Sequence, residues 1–194
     1  PTIANAGSVT AQGSVTVVTN RANMISPVEA RFDEGPTSGN LPLNTYTPLG
    51  VTWRTGPLSS ILSGVTAPGD ASNPLYFTPD IYFPPPIANG GVQTGAITYF
   101  GGAVTFSDSR VVTAVGLTAG RNGTQYLTAW SKSGTLIGQI TWVPTNDTSF
   151  IGLASNVPIG MVTYGNDDVF SGATYNIGGS TIMSDTWEIG RAHV

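Results

Sequence analysis

The chain has 194 residues, of which 7 are Lys or Arg and 11 are Asp or Glu, giving 9% charged residues and a formal net charge of −4, whereas a soluble domain ordinarily carries about 25%. Because binding to nucleic acid or to an anionic membrane needs clustered cations, a chain with one lysine, Lys132, predicts no nucleic-acid partner. The absence of cysteine excludes disulfides, thiolate metal sites and a thiol nucleophile, and no apolar run approaches the length of a spanning helix, so no membrane insertion is expected.

The first half of the chain joins one clear strand pattern to long proline-bearing stretches. It opens at PTIANAGSVT without an initiator Met or an apolar leader, which predicts a mature or truncated start. The alternation in SVTVVTN, residues 14–20, predicts a strand. Residues 36–95 hold most of the 14 prolines and are predicted to form long loops over the scaffold, with a strand at GVTWRT. The one weak helix pattern is GPLSSILSGV, residues 56–65.

The second half predicts strands at short, regular spacing. TQYLTAWSKSGTLIGQITWV, residues 124–143, predicts a hairpin that reverses at SKSG, where Gly134 supplies a positive φ. Further strand patterns are GAVTFS, RVVTAVGLTA, SFIGLAS and GMVTYGN, residues 102–107, 110–119, 149–155 and 160–166. Strands at this spacing with no helices between them predict a single all-β domain over residues 1–188, built as an antiparallel sandwich or barrel.

Four longer segments share their patterns with a known group of proteins. They are ARFDEGPTSGNLPLNTYTPLGVTWRTG, GGAVTFSDSRVVTAVGLTAG, YLTAWSKSGTLIGQITWV and DTSFIGLASNVPIGMVTYGN. Together they resemble bacterial exported β-sandwich proteins, many of which carry a PEP-CTERM-type sorting tail. The resemblance covers residues 29–188 and implies a galactose-binding-like jelly roll with long Pro-rich loops, the architecture of many carbohydrate-binding modules and lectins. Its motifs are packing and turn patterns, so they indicate a scaffold rather than an activity.

The end of the chain departs from that group. MSDTWE, residues 183–188, resembles a degraded form of the group's last-strand motif [IV]-D-[DN]-[LIV]-x-[FW], in which only Asp185 fits cleanly. The closing IGRAHV resembles the in-frame translation of a common sequencing adapter, which predicts a non-native tail over residues 189–194. His193, the only histidine, would then not belong to the natural protein; the alternative is a genuine exposed terminus.

Carboxylates are the remaining candidates for catalysis, because a Ser-His-Asp triad and a histidine metal site both need a natural histidine. A glycosidase pair requires two acids facing a cleft about 5–9.5 Å apart. Most acids lie in turn sequences such as SDS, TND and GNDD, so a catalytic pair is not expected. The candidates are Asp33, Glu34, Asp80, Asp108, Asp147, Asp167, Asp168, Asp185 and Glu188.

Calcium is the one cofactor that the acids suggest, since it takes oxygen ligands and often pins a terminal strand of a β-sandwich. The resemblance implies that Asp33 and Glu34 lie beside the last strand and its Asp185. Three converging acids would repel one another unless a cation sat between them. The alternative is a surface turn with unpaired carboxylates. Residues 166–168, NDD, are a second and weaker calcium candidate.

Aromatic side chains are the candidates for sugar contact, since a pyranose face stacks on a ring. Trp130 and Trp142 lie inside apolar strand patterns and are predicted to be core residues. Trp53 adjoins the proline loops, and YFTPDIYFPPP concentrates four rings in eight residues, more than a plug for the open end of a sandwich needs. The predicted ligand-binding residues are Trp53, Tyr76, Tyr82 and Phe83.

These observations predict a non-catalytic, secreted or surface-displayed bacterial domain. Its predicted partner is a polysaccharide or surface glycan, or it contributes to the extracellular matrix. One alternative is a purely structural surface or adhesion domain. Another is a carboxylate-dependent glycan hydrolase or lyase, which would need a deep groove flanked by two acids.

Overall fold

The computed structural model describes residues 9–31, 39–40, 42–54, 56–57, 76–83, 96–99, 102–119, 123–144, 150–166 and 181–192. It describes the backbone alone at residues 39–40, 56–57, 76–83, 96–99, 102, 119, 166 and 181–185. The described strands are β1 Thr10–Gly13, β2 Val15–Val18, β3 Met24–Ala30, β4 Gly39–Asn40, β5 Val51–Arg54, β6 Gly56–Pro57, β7 Tyr76–Phe83, β8 Ala96–Tyr99, β9 Gly102–Phe106, β10 Ala114–Ala119, β11 Gln125–Ser131, β12 Leu136–Trp142, β13 Phe150–Ser155, β14 Ile159–Asn166 and β15 Thr181–Ala192. Two short 3-10 turns, Arg21–Asn23 and Thr47–Leu49, are the helical elements of these residues.

The strands form two antiparallel sheets, which confirms the predicted all-β sandwich. The six-stranded sheet has the order β1-β12-β11-β14-β9-β5. The nine-stranded sheet has the order β2-β13-β10-β15-β8-β7-β4, with β3 also paired to β15 and β6 to β7. The long strand β15 therefore pairs with β8 through its first half and with β3 through its second. The jelly-roll connectivity stays a prediction.

The hydrophobic core lies between the two sheets and draws on both. It contains a chain of aromatic rings that runs from Tyr46 through Trp53, Trp187 and Tyr164 to Trp142, with successive ring centroids 5.5 to 6.2 Å apart. Trp53 and Tyr164 come from the six-stranded sheet and Trp187 from the nine-stranded one. Trp187 makes edge-to-face contacts with Trp53 and Tyr164 across the two sheets. Because large rings bury much apolar area, this row of aromatic rings helps to hold the two sheets together.

The strands predicted in the second half form, except that β10 begins at Ala114 and leaves residues 110–113 of the predicted strand outside it. The hairpin of β11 and β12 turns where Gly134 has a φ of 80°. Trp130 and Trp142 are buried, as predicted, with Trp142 in the central core and Trp130 on the strand face opposite Leu127. β13 and β14 both form, but they lie in different sheets, so the chain crosses the sandwich between them. Most of the weak helix pattern at residues 56–65 lies outside the described residues.

The C-terminal strand reaches into the predicted non-native tail. Ile189 is fully buried in the core, and Arg191 and Ala192 pair with Ile25 and Met24 of β3. His193 lies outside the described residues. The origin of residues 189–194 stays a prediction.

A short segment crosses the outer face of the nine-stranded sheet. It comprises residues 19–23 and links β2 to β3, which lie on opposite sides of β13, β10 and β15. Its 3-10 turn is capped by Asn20, whose Oδ1 accepts a hydrogen bond from the Ala22 N–H at 3.0 Å. Under the segment lies a second apolar group, the outer cluster, formed by Val18, Met24, Ala114, Phe150 and Ala154. The outer face of this sheet is therefore closed where the segment passes.

Candidate ligand-binding cleft

Trp53 is a core residue in this structure. Its side chain is 1% exposed and packs between the rings of Tyr46 and Trp187. The indole thus offers no face to a soluble ligand, and this position does not favour the predicted ligand contact. The reason is strand alternation, because Val51 and Trp53 face inward while Thr52 and Arg54 face outward.

The other predicted rings belong to a different sheet from Trp53. Tyr76, Tyr82 and Phe83 lie on β7, where the backbone of Tyr82 pairs with Ile97 and that of Phe83 with Gly39. The side chains of β7 are outside the description, so a ligand role for these three rings stays a prediction.

The calcium prediction is also untested. Asp33 and Glu34 lie outside the described residues, and Asp185 is described by its backbone alone. The strand that precedes the two early acids does pair with β15, since Ala30 lies opposite Trp187, two residues from Asp185. Among side chains that the structure describes, no group of three His, Cys, Asp or Glu residues could hold a metal ion. The test is a melting curve with and without chelator.

A polar cleft of about 520 Å³ lies at the β5 edge of the six-stranded sheet. Its floor is the outward side of β5 and β9, where Thr52 and Thr105 sit directly opposite each other. Its walls come from the 3-10 turn Thr47–Leu49, the loop after β9 and the turn between β11 and β12. The lining residues are Thr47, Gly50, Thr52, Arg54, Thr105, Phe106, Ser107, Asp108, Lys132 and Gly160. This volume lies within the range of about 300–1,000 Å³ that is typical of small-molecule binding clefts.

Two glycines bring the walls together. Gly50 ends the 3-10 turn with a φ of 77°, and a Cβ there would lie 2.7 Å from the Ser107 Oγ. Gly160 lies so close to the β11–β12 turn that a Cβ would sit 2.6 Å from the Lys132 Cα. Each position needs glycine because a larger residue would push a wall of the cleft away. The close approach at Gly160 places Lys132 beside the loop after β9.

One side-chain hydrogen bond orients the Arg54 guanidinium in the cleft. Its Nε donates a hydrogen bond to the Thr105 Oγ1 at 2.9 Å, and the Thr105 hydroxyl donates onward to the Thr52 carbonyl at 3.4 Å. The Thr52 hydroxyl also bonds with that of Thr47 at 3.0 Å. Arg54 itself is exposed and forms no ion pair with a described acid.

The other charges of the cleft neutralise each other. The Lys132 Nζ donates to the Asp108 Oδ1 at 2.9 Å, and the Asp108 side chain is 98% exposed. The side chains that line the cleft therefore carry one net positive charge, and it resides on Arg54.

A neighbouring cleft of about 460 Å³ shares Gly50 and Ser107 with the first. Among the described residues, its lining includes Ser26, Ser109, Arg110 and Arg191 and contains no acid. Arg191 lies in the predicted non-native tail, residues 189–194. Of the two arginines that line this cleft, Arg110 is therefore the one whose presence does not depend on the origin of the tail. Arg110 flanks Gly50 on the side of Ser107, so it adds a second cation at the border between the clefts.

Of the candidate catalytic acids, only Asp108 and Glu188 have described side chains, and they lie apart. Glu188 lines neither cleft; it is buried under the segment of residues 19–23, where its Oε1 accepts from the Arg21 Nε at 2.7 Å. Burial raises the pKa of the Glu188 carboxyl, the Arg21 guanidinium lowers it, and Glu29, its direct neighbour on β3, raises it. This carboxyl is a structural group with restricted access to solvent.

Sequence reasoning missed most of this cleft. The pattern V-T-W-R drew attention to the tryptophan, whereas the outward alternate positions Thr52 and Arg54 form the cleft. The available signal was the strand period itself, which places a polar residue on the face opposite each buried one.

None of the helical elements described is long and apolar enough to cross a membrane. Comparison of the chain with protein-family models, with curated proteins and with solved structures finds no match. The geometry of the described residues is therefore the basis for a functional assignment.

Proposed function

We propose that the chain is a non-catalytic glycan-binding domain of a secreted or surface-displayed bacterial protein, and that it holds its glycan in the cleft at the β5 edge. The observation that carries the proposal is the lining of that cleft. Hydroxyls of Thr47, Thr52 and Ser107 stand beside an arginine and a lysine–aspartate pair within about 520 Å³. Such a set of donors and acceptors complements the hydroxyls of a sugar.

The scaffold also supports a binding role. The floor of the cleft belongs to paired strands, and Trp53, next to Arg54 in the chain, is fixed in the core. Groups held by a rigid sheet lose little conformational entropy when a ligand binds. The low charge and the composition rich in Thr, Ser, Asn and Gly resemble those of exported bacterial surface proteins, which supports the exported setting.

A carboxylate-dependent hydrolase or lyase is less well supported. Of the residues that the structure describes, one acid lines the cleft, Asp108, which is paired with Lys132, and none lines the neighbouring cleft. A glycosidase needs a second carboxyl across the cleft. The two described clefts therefore favour binding over hydrolysis.

A glycan array and pull-downs with insoluble polysaccharides test the proposal. We expect binding to at least one polysaccharide class, and loss of that binding in Thr52→Val and Ser107→Ala, which line the cleft. A blank array together with self-association in sedimentation experiments would favour the structural or adhesion alternative.

A further inference from the structure

We propose that the saccharide bound in the cleft carries an oxyanion, a carboxylate or a sulfate, and that Arg54 is the group that binds it. This inference rests on the proposed glycan-binding function and adds the charge class of the ligand. The chain has a formal net charge of −4, so a cleft lined by unpaired cations is not expected from its composition.

The first argument is electrostatic. The structure describes three ion pairs, Arg21 with Glu188, Arg31 with Glu29 and Lys132 with Asp108. Each of these cations meets an acid, in a chain whose acids outnumber its cations. Arg54 and Arg110 have no acid within ion-pair distance among the described residues, and both lie at the connected clefts. Positive charge is thus left uncompensated at one place on the described surface.

The second argument is geometric. Thr105 takes up the Arg54 Nε, and no hydrogen bond is described for the two terminal NH2 groups. A guanidinium whose Nε is fixed presents those two groups side by side, which is the arrangement that binds carboxylate or sulfate oxygens in pairs. Thr105 is therefore a positioning residue, because its hydroxyl orients Arg54 and is itself held by the Thr52 carbonyl.

The third argument concerns the rest of the ligand. Hydroxyls of Thr47, Thr52 and Ser107 surround the floor next to Arg54. A free sulfate ion only accepts hydrogen bonds, whereas a sugar ring that bears the anion both donates to these hydroxyls and accepts from them through its own hydroxyls. Arg110 lies beyond Gly50 and would attract a second anionic residue of a polymer.

The experiment compares charged and neutral forms of the same polymers. The polymers are polygalacturonate with its neutral methyl ester, and dextran sulfate with neutral dextran. Binding of the full chain to each polymer is measured by affinity electrophoresis and on an array. We expect retention by at least one charged polymer over its neutral partner, falling as salt is raised. Retention by polygalacturonate alone would identify a carboxylate, and retention by dextran sulfate alone a sulfate.

Variants assign the preference to Arg54. Arg54→Gln should weaken binding to the charged polymer by about tenfold or more. The matched control is Arg31→Gln, which removes an exposed arginine that pairs with Glu29 away from the cleft and should bind like wild type. Thr105→Val should reduce the ratio of charged to neutral binding, and Thr105→Ser, which keeps the hydroxyl, should restore it.

Three results would overturn the inference. Binding of neutral polymers with no preference for charge would leave the glycan-binding function standing and remove the oxyanion. An equal loss in Arg54→Gln and Arg31→Gln would mean diffuse attraction to any cation. A blank result with these polymers would remove the inference, and a glycan array that is also blank would remove the proposed function.

Discussion

Arg21 and Arg54 each donate a hydrogen bond to a threonine hydroxyl. The threonine that binds Arg21 lies on β10 of the nine-stranded sheet, and the one that binds Arg54 lies on β9 of the six-stranded sheet. The Arg21 NH2 bonds to the Thr118 Oγ1 and the Arg54 Nε to the Thr105 Oγ1, both at 2.9 Å. Arg21 also meets Glu188 and lies over the ring of Phe150, 5.4 Å from its centroid. Arg54 has neither an acidic nor an aromatic partner among the described contacts.

The difference separates a structural arginine from one that is available to a ligand. The carboxyl under Arg21 is 3% exposed, so the guanidinium compensates a charge that water barely reaches. At the β5 edge the partner described for the Arg54 guanidinium is the Thr105 hydroxyl, and the exposed side chain leaves its charge facing solvent. We therefore expect substitutions at the first site to change stability and substitutions at the second to change binding.

The largest effect is expected from Arg21→Ala. This substitution leaves the Glu188 carboxylate buried without its cation and removes the contact with Phe150. Loss of one partner of a fully buried pair costs about 3–5 kcal/mol. Because Arg21 is 49% exposed, water will partly replace it, and we expect a loss of about 2 kcal/mol and a melting temperature lower by roughly 4–8 °C. Urea unfolding and calorimetry measure both.

Two controls sharpen this prediction. Arg54→Ala should change the free energy of unfolding by less than about 0.5 kcal/mol, as for other exposed positions. The double variant Arg21→Ala, Glu188→Gln should be more stable than Arg21→Ala alone, because a neutral amide tolerates burial better than a lone carboxylate. If the two arginine variants lose equal stability, the distinction between the sites is wrong.

The pH dependence of stability should report on the buried pair of Arg21 and Glu188. The pKa of Glu188 is raised in the folded protein, so folded molecules keep its proton at pH values where unfolded chains have lost it. The free energy of unfolding contributed by this group is therefore highest below about 4.5 and falls as the pH rises through the folded-state pKa. Glu188→Gln should flatten this part of the profile, and Arg21→Ala should steepen it. Unchanged profiles in both would contradict the assignment.

The sequence predicted the strands better than the site. Alternation within GVTWRT and the turn residue Gly134 are local signals, and the elements that depend on them formed as expected. The cleft instead joins the 3-10 turn Thr47–Leu49, β5, the loop after β9 and the β11–β12 turn, which are far apart in the chain. Its shape depends on the order of strands in a sheet, which local patterns do not specify.

The burial of Glu188 shows the same limit. The alternation Trp187, Glu188, Ile189 indicates one buried and one solvent-facing side. In the structure the solvent-facing side is covered by residues 19–23, from the opposite end of the sequence. A charged residue in a strand pattern predicts the outer face, but a connection that crosses that face decides whether water reaches it.

A smaller effect is expected from removing the threonine hydroxyls. Thr118→Val deletes a buried acceptor of Arg21 while keeping the shape of the side chain. Loss of one such hydrogen bond should reduce the free energy of unfolding by about 1 kcal/mol. Thr105→Val should reduce it by less than about 0.5 kcal/mol, since its hydroxyl serves an exposed arginine. Equal losses measured by urea unfolding would contradict the comparison.

The smallest change in stability is expected from Asp108→Asn. The Asp108 carboxylate is 98% exposed, so its pair with Lys132 is surrounded by water and should leave the melting temperature unchanged. In binding, the substitution removes the one negative charge of the cleft and releases Lys132 from its ion pair. Affinity for a charged polysaccharide should therefore increase, and its dependence on salt should become steeper, because two cations would then face the ligand. A decrease in affinity would mean that the Asp108 carboxylate itself accepts hydrogen bonds from sugar hydroxyls, which would contradict a cleft in which charge on Arg54 dominates the choice of ligand.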